Sequence, residues 1–377
     1  MKKASSFAIA TVIVLSIFIA APAALAQDTE KSLNKVLESK KQKEAYEIRA
    51  LKINQIEEKL FGATKDQFDA QHQESKVSSY NKDGLITSLT LNYFNPKTRS
   101  YDIGERRVYK YDERNNPKSE EIFRPEPKTG SLVSFQKWDY VFDNSDLKQS
   151  ETLTDTLNSQ NLESGMYKYE KKNNTLYQKF VKGTLAETQK RDFDVNNNET
   201  VMEKLNGQGA KIEKNVRLYD KAGSMLEKLI YSGDATDPVL RITYNKLENE
   251  TGRFYSDGKT IIMTYDDAGN MTSEVCTQKE LLEYMDIYKY DDLNNMIQKT
   301  RFNRNGLEYK LMCKYDETNN RVEEKLYHSS GPGSAELKLA EIVKMTYNDV
   351  RRITSKSTYN GEGKPVNKIK FEYESGK

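Results

Sequence analysis

The hexapeptides Tyr265-Asp266-Asp267-Ala268-Gly269-Asn270, Tyr290-Asp291-Asp292-Leu293-Asn294-Asn295 and Tyr315-Asp316-Glu317-Thr318-Asn319-Asn320 follow one another at intervals of 25 residues. A fixed period of this size constrains a chain strongly. It implies one supersecondary unit used many times, each copy packing on its neighbours, rather than a single globular core.

The residues of the unit define its shape. With the aromatic as position zero, position +1 is Asp, Asn or Glu, and position +4 is mostly Gly, Asn or Asp. A type I turn favours Asp or Asn at its first residue, and a following residue with positive φ favours Gly or Asn; together they make a three-residue hairpin loop with a bulge. Before the turn the residues alternate, with Ile261, Met263 and Tyr265 on one face and Ile262 and Thr264 on the other, and Tyr288 and Tyr290 opposed to Lys289. Period two means strand. After the turn a second strand ends near Phe123, Phe180, Phe302 or Tyr327 and is followed by a bend at Gly130, Gly183, Gly306 or Gly331.

From Lys76 onward the zero positions fall at Tyr80, Tyr111, Phe142, Tyr169, Phe193, Tyr219, Tyr244, Tyr265, Tyr290, Tyr315, Tyr347 and Tyr373. Residues 76–377 are therefore expected to form an all-β repeat array: consecutive antiparallel β-hairpins in one long twisted or partly curled sheet. The last copy, Phe371-Glu372-Tyr373-Glu374, has no second strand, and the array is expected to end there in an edge guarded by Glu, Lys and Gly.

The start of the chain differs. Met1-Lys2-Lys3, the apolar run from Phe7 to Ala20 and the small residues of Ala24-Leu25-Ala26 read as a secretory signal peptide over residues 1–26, cleaved before Gln27. From Asp28 to Leu60 the apolar residues Leu33, Val36, Leu37, Ala45, Ile48, Leu51, Ile53, Ile56 and Leu60 recur at three- and four-residue spacing, with Gly62 where a C-terminal cap belongs. Residues 27–75 are thus expected to be an N-terminal α-helix that caps the first hairpin, followed by a polar connector from Gly62 to Ser75.

Charge limits the partners. Removing Lys2 and Lys3 from the 59 lysines and arginines leaves 57, against 57 aspartates and glutamates. A neutral chain with interspersed charges lacks the basic stripe that nucleic acid or an anionic membrane requires. No nucleic-acid partner and no stable membrane insertion after signal cleavage are expected. The two cysteines, Cys276 and Cys313, lie on strands separated by three strand spacings of about 4.8 Å each, well beyond disulfide reach. Free, partly buried thiols are expected.

The Tyr-Asp-x-x-[Gly/Asn]-Asn turn, followed by a polar strand and another aromatic-rich strand, resembles the tyrosine-aspartate (YD) repeat of Rhs-like proteins. The resemblance covers nearly everything after Lys76 and is sharpest from Tyr265 to Asn320. It implies hairpins joined in one long coiling sheet, in some relatives a hollow shell around a toxin domain. The family's Gly-Arg-Leu after the turn is absent, since Gly269 is followed by Asn270-Met271 and Gly223 by Ser224-Met225. No family core segment or effector domain follows, so toxin delivery is not implied, and about 24 strands are expected to leave the sheet open.

No catalytic constellation is legible. His72 and His328 are the only histidines and have no partners at metal-ligand spacing. An enzyme would need several carboxylates, or one of these histidines, to converge in a concave pocket. Asp257-Gly258-Lys259-Thr260 lacks the upstream glycine of a phosphate loop and reads as a hairpin turn. Acidic pairs such as Asp266-Asp267 and Asp291-Asp292 read as turn formers rather than Ca²⁺ ligands. No metal and no cofactor are expected. The surface of most interest is an aromatic stripe: Trp138 and Tyr140, with Tyr109/Tyr111, Tyr167/Tyr169 and Tyr288/Tyr290 repeating the arrangement. Such a stripe stabilises a sheet through cross-strand pairs, and it also offers a platform for carbohydrate or peptide. The functional expectation is an exported, secreted or periplasmic, non-enzymatic binding or scaffold protein whose sheet contacts a cell-envelope polysaccharide or protein. The alternative is an accessory component of a toxin or secretion system, as cocoon, immunity or chaperone partner.

Overall fold

The computed structural model describes residues 44–64, 66–170 and 173–375. The expected signal peptide and the helical stretch before Glu44 lie outside the described residues. The rest is almost entirely strand. Twenty-four antiparallel strands run in chain order from β1 (Ile53–Thr64) to β24 (Pro365–Ser375). Each pairs with the strand before it and the strand after it, and β1 also pairs antiparallel with β24, Ile56 opposite Tyr373 and Leu60 opposite Ile369.

The sheet therefore closes into a barrel, which corrects the expectation of an open sheet with a free C-terminal edge. Two causes act together. Every turn that follows a zero position from Tyr80 to Tyr347 carries a bulge there, as between Thr264 and Tyr265 or Lys289 and Tyr290, and bulges add bend and twist repeat after repeat. The segment that completes the ring is the one expected to be helix. Only residues 44–50 of the described chain are helical, β1 occupies Ile53–Thr64, and β2 (Gln67–Tyr80) replaces the expected connector. Ile53 and Ile56 are three residues apart, a helical spacing, yet both are buried, because the register shifts between Ile53 and Gln55. A bulge imitated helical periodicity.

The short helix does not cover an edge. Its Ile48 is 1% exposed and packs with Ile53, Ile56, Tyr80 and Tyr373 at the seam where β24, β1 and β2 meet. Glu47 pairs with Arg352 at 3.6 Å, and the Arg352 guanidinium lies 5.5 Å from the Tyr373 ring.

The turns have the expected form. Asp266 N–H donates to the Asn270 carbonyl at 2.9 Å and Gly269 N–H to the Asp266 carbonyl at 3.0 Å. The Asp266 carboxylate accepts from the N–H groups of Ala268 and Asn270. Gly269, Asn294 and Asn319 have φ of 84°, 63° and 68°. The acidic residue at +1 is thus occupied in closing its own turn. Gly258, at φ 88°, closes the turn between β15 (Glu250–Tyr255) and β16 (Lys259–Tyr265). Cys276 and Cys313 are free, as expected, and buried.

The two faces differ. On β16, Ile261 and Met263 are 6% and 7% exposed while Ile262 is 39% exposed. Curvature crowds side chains only on the concave side of a single-layer sheet, so the face carrying the zero-position aromatics is the inner wall.

Candidate functional site

The aromatic residues of the stripe fall into two kinds. The zero-position tyrosines use their hydroxyls on the backbone: Tyr111 donates to the Ile86 carbonyl, Tyr169 to that of Lys148 and Tyr290 to that of Met271, each at 2.9 Å. These are struts between neighbouring strands. The tyrosines two residues earlier, Tyr109, Tyr140, Tyr167 and Tyr288, stand on the same inner wall with their hydroxyls directed elsewhere.

Three of these four come together. Tyr109 lies on β4 (Ser100–Tyr111), Trp138 and Tyr140 on β6 (Leu132–Phe142), and Tyr167 on β8 (Gln160–Glu170). Across β5 (Pro117–Pro125), Tyr109 is opposite Glu120, which is opposite Trp138. Trp138 and Tyr140 are parallel to within 9°, their centroids 6.2 Å apart. Across β7 (Lys148–Asp155), Tyr140 is opposite Glu151, which is opposite Gly165. Tyr167 in turn faces Tyr177 of β9 (Asn173–Val181), ring centroids 4.8 Å apart.

Charged groups are interleaved with the rings. The Glu151 carboxylate accepts from the Tyr167 hydroxyl at 2.9 Å and from Lys148 at 2.9 Å, and the Tyr177 hydroxyl stands 3.5 Å from it. Lys148 Nζ lies 5.4 Å from the Tyr140 ring and 5.3 Å from the Tyr167 ring, within cation–π range. Glu120 pairs with Arg107 at 3.2 Å. Gly165 makes this packing possible, since a Cβ there would sit 2.8 Å from the Tyr177 ring and 2.9 Å from the Glu151 carboxylate. Burial, then Glu120, pushes the Tyr109 hydroxyl up to about 12. Burial, followed by the nearby carboxylates, also raises Tyr140, Tyr167 and Tyr177. The phenols are therefore neutral donors throughout the physiological range.

Tyr288 belongs to a separate cluster. On β18 (Leu281–Tyr290) the carboxylate of Asp286 is fully buried, held by Arg301 at 2.7 and 2.6 Å and by Lys299 at 2.9 Å. Lys299 lies against the Tyr288 and Tyr309 rings, and Arg301 against Tyr284 and Tyr309. Tyr284 donates to Glu274 at 2.6 Å.

Sequence reasoning missed Glu120, Lys148, Glu151 and Tyr177. All four sit on the second strands of hairpins, β5, β7 and β9, where only cross-strand register reveals their neighbours. His72 stacks on Tyr101 at 4.2 Å, with Glu57 and Glu372 acting on it electrostatically, and His328 stands edge-on to Tyr309 at 6.3 Å. Among the described residues no group of three His, Cys, Asp or Glu side chains could hold a metal ion. A shallow cleft of about 630 Å³ adjoins Tyr109 and Tyr111, but its walls include the turn formers Asn81 and Asp112, engaged with their own turns' backbone.

No family model matches the chain, and none of the curated proteins does. Among solved structures, the Tc holotoxin pore of Photorhabdus luminescens is similar over 78% of this chain and 19% of that one, with 11% identity and a TM-score of 0.41. The TcdB2–TccC3 structure gives 78%, 19%, 10% and 0.40 for the same quantities. A porin-like protein from Bacteroides uniformis matches 85% of this chain and 98% of its own, with 8% identity and a TM-score of 0.25. The chain spans about a fifth of the length of the toxin chains it matches.

Proposed function

We propose that this is a YD-type hairpin-repeat protein, exported to the cell envelope and non-enzymatic, whose inner barrel wall binds an envelope glycan or protein. The observation that carries the reading is the aromatic strip from Tyr109 to Tyr177, with Trp138 and Tyr140 parallel at its centre. Flat rings interleaved with hydrogen-bonding carboxylates are amphipathic binding chemistry, and nothing about closing the barrel calls for them on three consecutive even strands. The convex face argues for an aqueous setting. Among the described residues no helix is long and apolar enough to cross a membrane, which says nothing about strands. The outward positions, however, mix exposed Val141, Met166, Leu218, Ile262 and Met312 with Lys137 and Asp139 on β6 and Lys314, Glu372 and Lys370 elsewhere, so that charge interrupts the apolar band a lipid-facing wall would need.

The test is retention of the full chain on envelope fractions and a glycan array, with Trp138→Ala and Tyr140→Ala as variants. Loss of binding at unchanged melting temperature supports the reading. Absence of any retained envelope component overturns it. A second reading, a cocoon or chaperone partner in a toxin or secretion system, is favoured by the closed ring of strands. A co-purifying protein protected from protease within the barrel would support it over the first.

A further inference from the structure

Resting on the binding reading above, we infer that the inner wall from β4 to β9 is a subsite for an extended, uncharged, β-1,4-linked glycan lying across the strands. The geometry is a regular alternation. An aromatic station stands on each of β4, β6 and β8: Tyr109, then Trp138 with Tyr140, then Tyr167 with Tyr177 from β9. A carboxylate stands on each intervening strand, Glu120 on β5 and Glu151 on β7. Stations two strands apart are separated by about 10 Å.

That spacing selects a ligand. In an extended β-1,4-linked chain successive sugars are turned over, so the same ring face recurs every second sugar, at close to this interval. Each aromatic station can then stack one sugar in two, and each carboxylate can accept hydroxyls from the sugar between. Charge selects further. Glu120 is compensated by Arg107 and Glu151 by Lys148, so the strip has no surplus sign with which to attract an ion. The Trp138 indole N–H and the Tyr140 hydroxyl make no hydrogen bond among the described residues and are not among the buried polar atoms, which leaves two donors at the centre of the strip for a hydroxylated chain. An extended peptide would instead pair with a free strand edge, and the ring has none along this wall.

Calorimetric titration of the full chain with cellohexaose and chitohexaose, with their tetra- and disaccharides and with α-1,4-linked maltohexaose, tests this. At least one β-linked hexaose is expected to bind, at least tenfold more tightly than its disaccharide, with maltohexaose not binding. Tyr109→Ala, Trp138→Ala and Tyr167→Ala should each weaken binding fivefold or more, while Val141→Thr on the outer face of β6 should not. Should truncation lower the melting temperature, Glu120→Gln and Glu151→Gln keep the shape and should still weaken binding. Failure of both β-linked hexaoses, equal affinity for di- and hexasaccharide, or indifference to these variants overturns the inference. If an envelope fraction is still retained, only the ligand class is wrong; if nothing is retained, the binding reading falls with it.

Discussion

The hydroxyl of Tyr290, at the end of β18, donates a 2.9 Å hydrogen bond to the carbonyl of Met271, the first residue of β17 (Met271–Gln278). The same strut recurs from Tyr265 to Glu250, Tyr315 to Met296, Tyr347 to Arg321 and Tyr373 to Ile353. It ties each turn to the start of the strand behind it. Tyr290→Phe is therefore expected to cost about 1 kcal/mol, the net worth of one hydrogen bond, whereas Tyr140→Phe should be nearly neutral. Chemical denaturation of the two variants checks this. Burial raises these phenols, Tyr80 and Tyr244 to about 12. A group whose folded pKa lies above its unfolded value contributes stability that is lost as pH rises, so the barrel should lose stability from about pH 10 upward.

The +4 turn position gives a prediction of either sign. Gly269 holds φ 84°, and Gly269→Val should destabilise by roughly 1–3 kcal/mol, more than Ala268→Val beside it. Glu248 and Arg351 occupy the corresponding place in their turns at φ 59° and 62°, which suits neither residue. Arg351→Gly should raise the melting temperature, by about 1 kcal/mol of stability. Hydrogen exchange after Gly269→Val should rise first near residues 255–280.

Lys228, 1% exposed on the inner wall, has its ammonium pushed down to about 7, chiefly by burial. Between pH 7 and about 10 the unfolded chain then binds the proton that the folded chain has released, so stability should rise with pH across that window. Lys228→Met should remove this slope. Urea melts at pH 7, 8 and 9 measure both effects.

Asp286 is the opposite case. Burial pushes its carboxyl up, but hydrogen bonds from Arg301 and Lys299 outweigh that and hold it below the usual range. Its contribution is present above the ordinary carboxylate pKa and is lost as pH falls through the lowered folded value. Asp286→Asn should cost roughly 2–3 kcal/mol at pH 7, less than the full penalty for breaking a buried pair because both cations keep partial exposure. It should also blunt acid unfolding, which a pH titration of circular dichroism would register.

The hairpin unit was legible because its chemistry is local: Asp266 and Gly269 fix a turn within five residues, and Ile261, Met263 and Tyr265 announce a strand by alternation. Eleven of the twelve zero positions lie at or next to the end of an even-numbered strand, and Tyr373 lies two residues before the end of β24. Closure was not legible. Nothing local in Ile53 to Leu60 distinguishes a bulged strand from a helix, and the segment becomes β1 because β2 and β24 both present it with unpaired backbone. The site was half legible for the same reason. Trp138 and Tyr140 share one strand and could be read together, whereas Glu120, Glu151 and Tyr177 join them only through a register that sequence does not state.

The seam between β1 and β24 also sets a clock on folding. Lys59 meets Glu372 at 2.6 Å across 313 residues of chain, so the first strand made waits for the last. Contacts so distant in sequence form late. Until they form, two strand edges stand bare, and the barrel passes through an open ribbon that is prone to pair with other chains. Because the ring is closed, its circumference is also quantised. A hairpin gained or lost by recombination would shift the wall opposite every other strand, so a ring of this kind resists the stepwise growth and shrinkage that open repeat arrays undergo freely.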